Sequence, residues 1–201
     1  MGAPLVLRSG APERVLADLA AETGASTIFF NRRYEPESRD QERRLEDLPG
    51  VELDGSHDNL ISTPSGLRTQ GGGYYRVFTP FWKACRAGSS PKEPSGRPDN
   101  LRPMSSWPES LPLDALELMP HIHWYEGMAE TWNPGEAGAS RCLDAFLDEA
   151  LTDYAKRRDY PGLEGVSRMS PYLHFGEISP HSVWHAVASR SAGGSEKGSE
   201  A

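Results

Sequence analysis

Residues 165–180 read GVSRMSPYLHFGEISP and contain two successive helix starts. At Ser170-Pro171 and at Ser179-Pro180, the serine can cap a helix while the proline occupies its first position. Ser167 and Arg168 stand just before the first start. Backbone N–H groups, the helix dipole and a guanidinium would together favour a diphosphate there. The segment predicts two helices and an anion-binding loop; the alternative is a loop that only caps its own helix.

An amphipathic helix is predicted upstream of this loop, because apolar side chains recur at helical spacing from Leu143 to Tyr154. Tyr154 ends the apolar stripe, where its hydroxyl can reach toward a pocket. Lys156, Arg157 and Arg158 follow. These cations either complement the negative helix end and stay solvated, or they contact phosphate.

Short apolar runs alternate with helical patterns in the first third of the chain. Strands are predicted at residues 5–7, 27–30 and 51–53, and helices from Pro12 to just before Gly24 and over residues 36–48. This order is typical of a doubly wound α/β layer with a parallel sheet. The chain has no GxGxxG or Walker sequence, which disfavours a dinucleotide-binding Rossmann enzyme.

Residues 59–134 are rich in Pro, Gly and Ser and predict a long interdomain linker. Its aromatic cluster at residues 74–83 indicates a short helix near Pro80 on a domain surface, or else a ligand pocket. His121 and His123 lack the further ligands that a zinc site requires, so no metal is predicted.

Composition limits the remaining possibilities. The formal net charge of −8 argues against DNA binding through overall charge, so a DNA role needs a local basic patch. The two cysteines favour a reducing, cytoplasmic location. No apolar run approaches the roughly 18 residues that a membrane span needs.

Several blocks resemble the class I DNA photolyases and their cryptochrome relatives, in family order. They are residues 30–36 (FNRRYEP), 77–83 (VFTPFWK), 134–139 (PGEAGA), 154–161 (YAKRRDYP) and 167–180 (SRMSPYLHFGEISP). Ordered motifs are more specific than any one of them alone. The resemblance implies a fold of α/β plus all-α type: an incomplete doubly wound parallel sheet layer at residues 1–58, the linker at 59–134, and the start of a helical FAD-binding domain at 135–201.

The resemblance also implies roles for particular residues. FAD contacts are expected at Tyr154, Val166, Ser167, Arg168, Met169 and Ser170. The family usually has Thr where Val166 stands, so one hydroxyl contact is lost. Arg158 matches a position that touches DNA. Glu37 and Ser38 fall where folate-using members of the family bind the antenna pteridine. The pair is Glu-Ser here and Asn-Glu in those members, which leaves methenyltetrahydrofolate, an 8-hydroxy-deazaflavin or no antenna as the alternatives.

The implied activity is light-driven repair of cyclobutane pyrimidine dimers in damaged DNA by electron transfer from reduced FAD, by a monomer with no membrane partner. The alternatives are a cryptochrome photoreceptor without repair, and a nucleotide-binding α/β module without photochemistry. Relative to the family, the chain lacks the first strands and most of the flavin domain. It therefore holds no catalytic residue and is expected to be inactive alone, and the strand at Leu5 is left without a neighbour.

Overall fold

The computed structural model describes residues 3–63, 66–88, 91–96, 98 and 104–196. Parts of the predicted linker, and residues 197–201 of the predicted helical domain, lie outside this range. The chain forms two compact units, Met1–His57 with Gly96–Trp124 and Asp58–Ser95 with Tyr125–Ala201. The division at residues 58 and 134 stays a prediction.

The first unit alternates helices and strands as the sequence predicts. Its elements are α1 (Pro12–Thr23), β1 (Thr27–Asn31), α2 (Pro36–Leu45) and β2 (Glu52–Ser56). Both helices have a proline in the first turn, where its missing N–H costs no helical hydrogen bond. Gly24 ends α1 in the left-handed conformation (φ 71°), which costs glycine little. The two strands pair in parallel, with Thr27 opposite Glu52.

The predicted strand at residues 5–7 is wrong, because the structure shows no strand there. Leu7 makes only isolated bonds: its N–H donates to Ser110 Oγ (2.9 Å) and its carbonyl accepts from the Leu111 N–H (2.9 Å). Leu5 is 77% exposed. An apolar run becomes a strand only when a neighbouring strand satisfies its backbone groups, and in the described part of the chain β1 and β2 pair only with each other. The sheet therefore has two strands where the sequence predicted three.

The second unit is helical. It comprises α3 (Phe78–Gly88), α4 (Glu126–Thr131), α5 (Glu136–Ala145), a π-helical turn (Phe146–Ala150), α6 (Tyr154–Arg157), α7 (Ser170–His174) and α8 (Pro180–Glu196). The predicted helix near Pro80 is confirmed as α3, although none of its described residues is buried. A 3₁₀ turn at Leu113–Leu116 belongs to the first unit. None of the described helices has the length and apolar content of a membrane span.

The amphipathic helix predicted through Tyr154 is interrupted rather than continuous. The N–H of Leu151 donates to the carbonyl of Phe146 (2.9 Å), which makes the turn wider than an α-helical one. The wide turn keeps the predicted apolar face inward. The buried cluster of this unit contains Ala139, Leu143, Phe146, Ala150, Met169 and Tyr172.

The two Ser-Pro starts differ. At α8, Ser179 Oγ accepts the N–H of His181 (3.2 Å), which is the predicted cap. At α7, Ser170 is itself the first helical residue and no side chain caps the helix. The expectation that Ser170 caps α7 is therefore wrong, and its hydroxyl remains available for another role.

Candidate anion-binding loop

The chain between α6 and α7 folds back on itself before it reaches the loop. The Tyr160 N–H donates to the Arg157 carbonyl (3.0 Å), and the Gly165 N–H donates to the Leu163 carbonyl (2.8 Å). Gly165 is buried against α6, and a Cβ on it would lie 2.6 Å from the Arg157 Cβ and 2.9 Å from the Arg157 carbonyl oxygen. The close approach of two backbones thus requires glycine here.

Arg168 has a left-handed backbone (φ 52°), which is uncommon for a residue other than glycine. Such a conformation costs on the order of 1–3 kcal/mol and persists only when the surroundings hold it. The next residue, Met169, is 3% exposed and anchors the loop in the apolar cluster. The guanidinium of Arg168 stays at the surface, 3.0 Å from Glu164 Oε1.

The backbone N–H groups from Val166 to Ser170 share one property. Among the residues that the structure describes, none of them donates a hydrogen bond to a protein acceptor. The hydroxyls of Ser167 and Ser170 and the Arg168 guanidinium stand on the same loop. Successive backbone amides around a left-handed residue form a concavity that suits an anion. The loop can therefore bind phosphate groups through donors that the fold itself leaves unused.

Cys142, which sequence reasoning did not single out, supports this loop from α5. Its thiol donates a hydrogen bond to the Ser167 carbonyl (3.3 Å). Burial raises the pKa of the Cys142 thiol, although Arg168 opposes the shift. The thiol therefore stays protonated and remains a donor. The sequence does contain one signal for Cys142. It stands next to Leu143, the first apolar residue of the predicted amphipathic helix, and therefore on or near the inward face.

We expect Cys142 to react slowly with iodoacetamide at mildly alkaline pH, because the thiolate is the nucleophile and burial disfavours it. A Cys85→Ser variant leaves Cys142 as the single thiol, and unfolding in urea should raise its alkylation rate several-fold. The raised pKa also stabilises the fold below the ordinary thiol pKa of 9.0, and this contribution is lost as the pH rises above that value. Equal rates in folded and unfolded protein would contradict the partial burial of the Cys142 thiol.

Tyr154 and Arg158 are brought together at α6. The Tyr154 ring meets Phe146 edge-on (5.5 Å between centroids), and the Arg158 guanidinium carbon lies 5.8 Å from the Tyr154 centroid. Arg158 also pairs with Asp159 (3.7 Å) and keeps 54% of its side chain exposed. An exposed cation beside an aromatic ring can contact phosphate while the ring packs against a base or an isoalloxazine.

The predicted antenna residues lie in the first unit, in the first turns of α2. Glu37 is exposed, whereas Ser38 is 8% exposed.

Sequence reasoning missed a polar pair near the carboxyl ends of the strands, where ligands often bind in parallel sheets. There Tyr34 Oη and His57 Nδ1 lie 2.6 Å apart. Burial, with Glu42 nearby, raises the pKa of Tyr34, so its hydroxyl stays protonated.

A parallel α/β layer together with a helical unit that carries a candidate anion-binding loop is typical of nucleotide- or flavin-binding proteins. Residues 1–99 match the family model of DNA photolyase. A deoxyribodipyrimidine photo-lyase of Agrobacterium fabrum is 41% identical over 92% of this chain and 40% of its own length. Cryptochrome-1 of Arabidopsis thaliana is 27% identical over 92% of this chain and 28% of its own. The chain belongs to the DNA photolyase and cryptochrome family, as the resemblance implied.

Solved structures agree with this assignment. A crystal structure of a bacterial class III photolyase from Agrobacterium tumefaciens is 42% identical, has a TM-score of 0.85, and is matched over 92% of this chain and 39% of its own. An archaeal photolyase from Sulfolobus tokodaii with two FAD molecules shares the fold at 22% identity, with a TM-score of 0.69. The chain thus spans about 40% of the length of the photolyases that it matches.

Proposed function

We propose that this chain carries the FAD-diphosphate loop of a DNA photolyase that repairs cyclobutane pyrimidine dimers under light. The observation that supports it best is the run of unused N–H groups from Val166 to Ser170, flanked by two hydroxyls and a guanidinium. A flavin dinucleotide presents a diphosphate that requires such donors. Bound reduced FAD would supply the electron that splits the dimer.

The hydrogen-bond donors of the loop fit a diphosphate, but the helix dipole contributes less than the sequence predicted. Because α7 has only five residues, its dipole adds little. The attraction must come from backbone amides, Ser167, Ser170 and Arg168. Glu164, the partner of Arg168, is 79% exposed and can release the guanidinium to a ligand. Val166 offers its N–H alone, and Met169 contributes by anchoring the loop in the core.

Two residues outside the loop have separate roles in this proposal. Tyr154 provides an aromatic wall for the flavin, braced by Phe146. Arg158 remains exposed beside it and contacts a phosphate of the damaged strand. The protein then orients the flavin on one side and the DNA backbone on the other.

The antenna assignment is part of the same proposal. Exposed Glu37 is the available contact to a methenyltetrahydrofolate or deazaflavin chromophore, while Ser38 packs inward. The 42% identity to a class III photolyase favours that subclass over the class I subclass indicated by the motifs.

A cryptochrome photoreceptor is the second candidate, because cryptochromes of Arabidopsis thaliana and Sinapis alba also match the chain. Both candidates use the same flavin loop. They differ in whether Arg158 serves DNA binding.

A chimera separates these functions. The matching segment of the Agrobacterium photolyase is replaced by this chain, and flavin content and blue-light repair of a dimer-containing oligonucleotide are measured. We expect a flavin-loaded, repair-competent chimera, and an Arg158→Ala version with normal flavin but weaker binding to damaged DNA. A flavin-loaded chimera without repair would favour the photoreceptor. A chimera that folds without flavin would reject the loop assignment.

A further inference from the structure

The segment around α3 is basic within an acidic chain. From Asn59 to Lys92 the sequence contains no Asp or Glu, although the whole chain has a net charge of −8. Arg68, Arg76, Lys83 and Arg86 are exposed here, and none of them pairs with a carboxylate among the described residues. This local field attracts an anionic partner.

The same segment exposes aromatic side chains. The exposed fractions are 66% for Tyr74, 71% for Phe78 and 40% for Trp82, and α3 buries none of its residues. An apolar helix face of this kind usually marks an interaction surface. The segment thus presents rings and cations together, without intervening acids.

The geometry of the rings indicates which anionic partner fits. Phe78 and Trp82 lie nearly parallel (7°), with centroids 6.4 Å apart. Parallel aromatic rings offer flat faces on which nucleic-acid bases can stack. The Arg68 guanidinium carbon lies 3.7 Å from the Tyr74 centroid, which presents a second flat, cationic face.

We propose that α3 and the preceding residues 68–77 form a binding surface for single-stranded nucleic acid, separate from Arg158 and from the anion-binding loop. Bases stack on Phe78 and Trp82, while Arg76, Lys83 and Arg86 follow the phosphate backbone. Single-strand binders combine these two features without sequence preference. An anionic lipid surface would satisfy the cations but has no flat groups to match the parallel rings.

The test is a titration of the purified chain against an undamaged, fluorescein-labelled oligo(dT) of about 16 nucleotides, followed by anisotropy at several salt concentrations. We expect Trp82→Leu and Phe78→Leu each to weaken binding about ten-fold. Arg76→Gln with Lys83→Gln should weaken binding and also flatten its salt dependence. Because α3 buries no residue, these variants should keep the circular dichroism of the parent chain.

Matched controls locate the surface. Trp107→Leu removes a tryptophan of similar exposure (39%) from the first unit and should leave the affinity unchanged. Arg141→Gln removes an exposed cation of the second unit that has no role in either proposal, and it should also leave the affinity unchanged. The proposal is overturned if the chain does not bind the oligonucleotide, if Trp82→Leu binds as well as the parent, or if the chain binds only vesicles of anionic lipid.

Discussion

FAD binding is expected to weaken at least about a hundred-fold when Ser167 and Arg168 are both replaced by alanine. Hydrogen bonds to charged groups contribute about 1.5–3 kcal/mol each, and the variant removes a hydroxyl and a guanidinium from the diphosphate. Isothermal titration with FAD, on this chain and on the photolyase chimera, measures the change. The free energy of unfolding without flavin should fall little, because the one ion pair of Arg168 within the described ranges is with the exposed Glu164.

The chain offers a matched control for this variant. Ser140 and Arg141 form the same dipeptide on α5, and both are exposed. Replacing both with alanine removes the same groups from a place that has no role in the proposal. Equal flavin affinity in the two double variants would remove the loop from the flavin site.

Gly165→Ala is expected to cost on the order of 1–3 kcal/mol of unfolding free energy, because its Cβ would collide with the backbone of Arg157. The neighbouring backbone has to move, and the loop from Val166 to Ser170 moves with it. We therefore expect a lower urea midpoint, followed by tryptophan fluorescence, together with weaker flavin binding in the chimera. The second effect distinguishes a displaced loop from general destabilisation.

Gly162→Ala is the control for the glycine. It lies on the same turn, and a Cβ there would meet nothing within 4 Å. Its unfolding midpoint should stay the same or rise slightly, because alanine restricts the unfolded chain. If both variants unfold at the same urea concentration, the tight packing of Gly165 on α6 is refuted.

Local signals predicted most of the elements. Pro12 and Gly24 mark the ends of α1, and the Ser179-Pro180 start of α8 is confirmed, because each depends on residues next to each other in the sequence. The sequence overestimated the sheet for a related reason. Residues 5–7 have the composition of a strand, but a strand also needs a partner, and no local pattern supplies one.

The sequence predicted the position and the donor residues of the loop, but not its contacts with other elements. Its position before α7 and its donor residues follow from the motif. The left-handed backbone of Arg168 has no signal in the sequence. The hydrogen bond of the Cys142 thiol joins α5 to a residue 25 positions away, and spacing along one segment cannot reveal such a contact. The Tyr34–His57 pair was missed for the same reason, because β1 and β2 pairing brings the two residues together.

The most direct test of the flavin-loop assignment is a ¹⁵N–¹H correlation spectrum of the chain during titration with FAD, with riboflavin as the control that lacks the diphosphate. We expect FAD to shift the amide resonances of Val166 to Ser170 more than any others, even at weak binding, and riboflavin to leave them in place. Unchanged resonances in this loop under FAD, or equal shifts with riboflavin, would contradict the assignment.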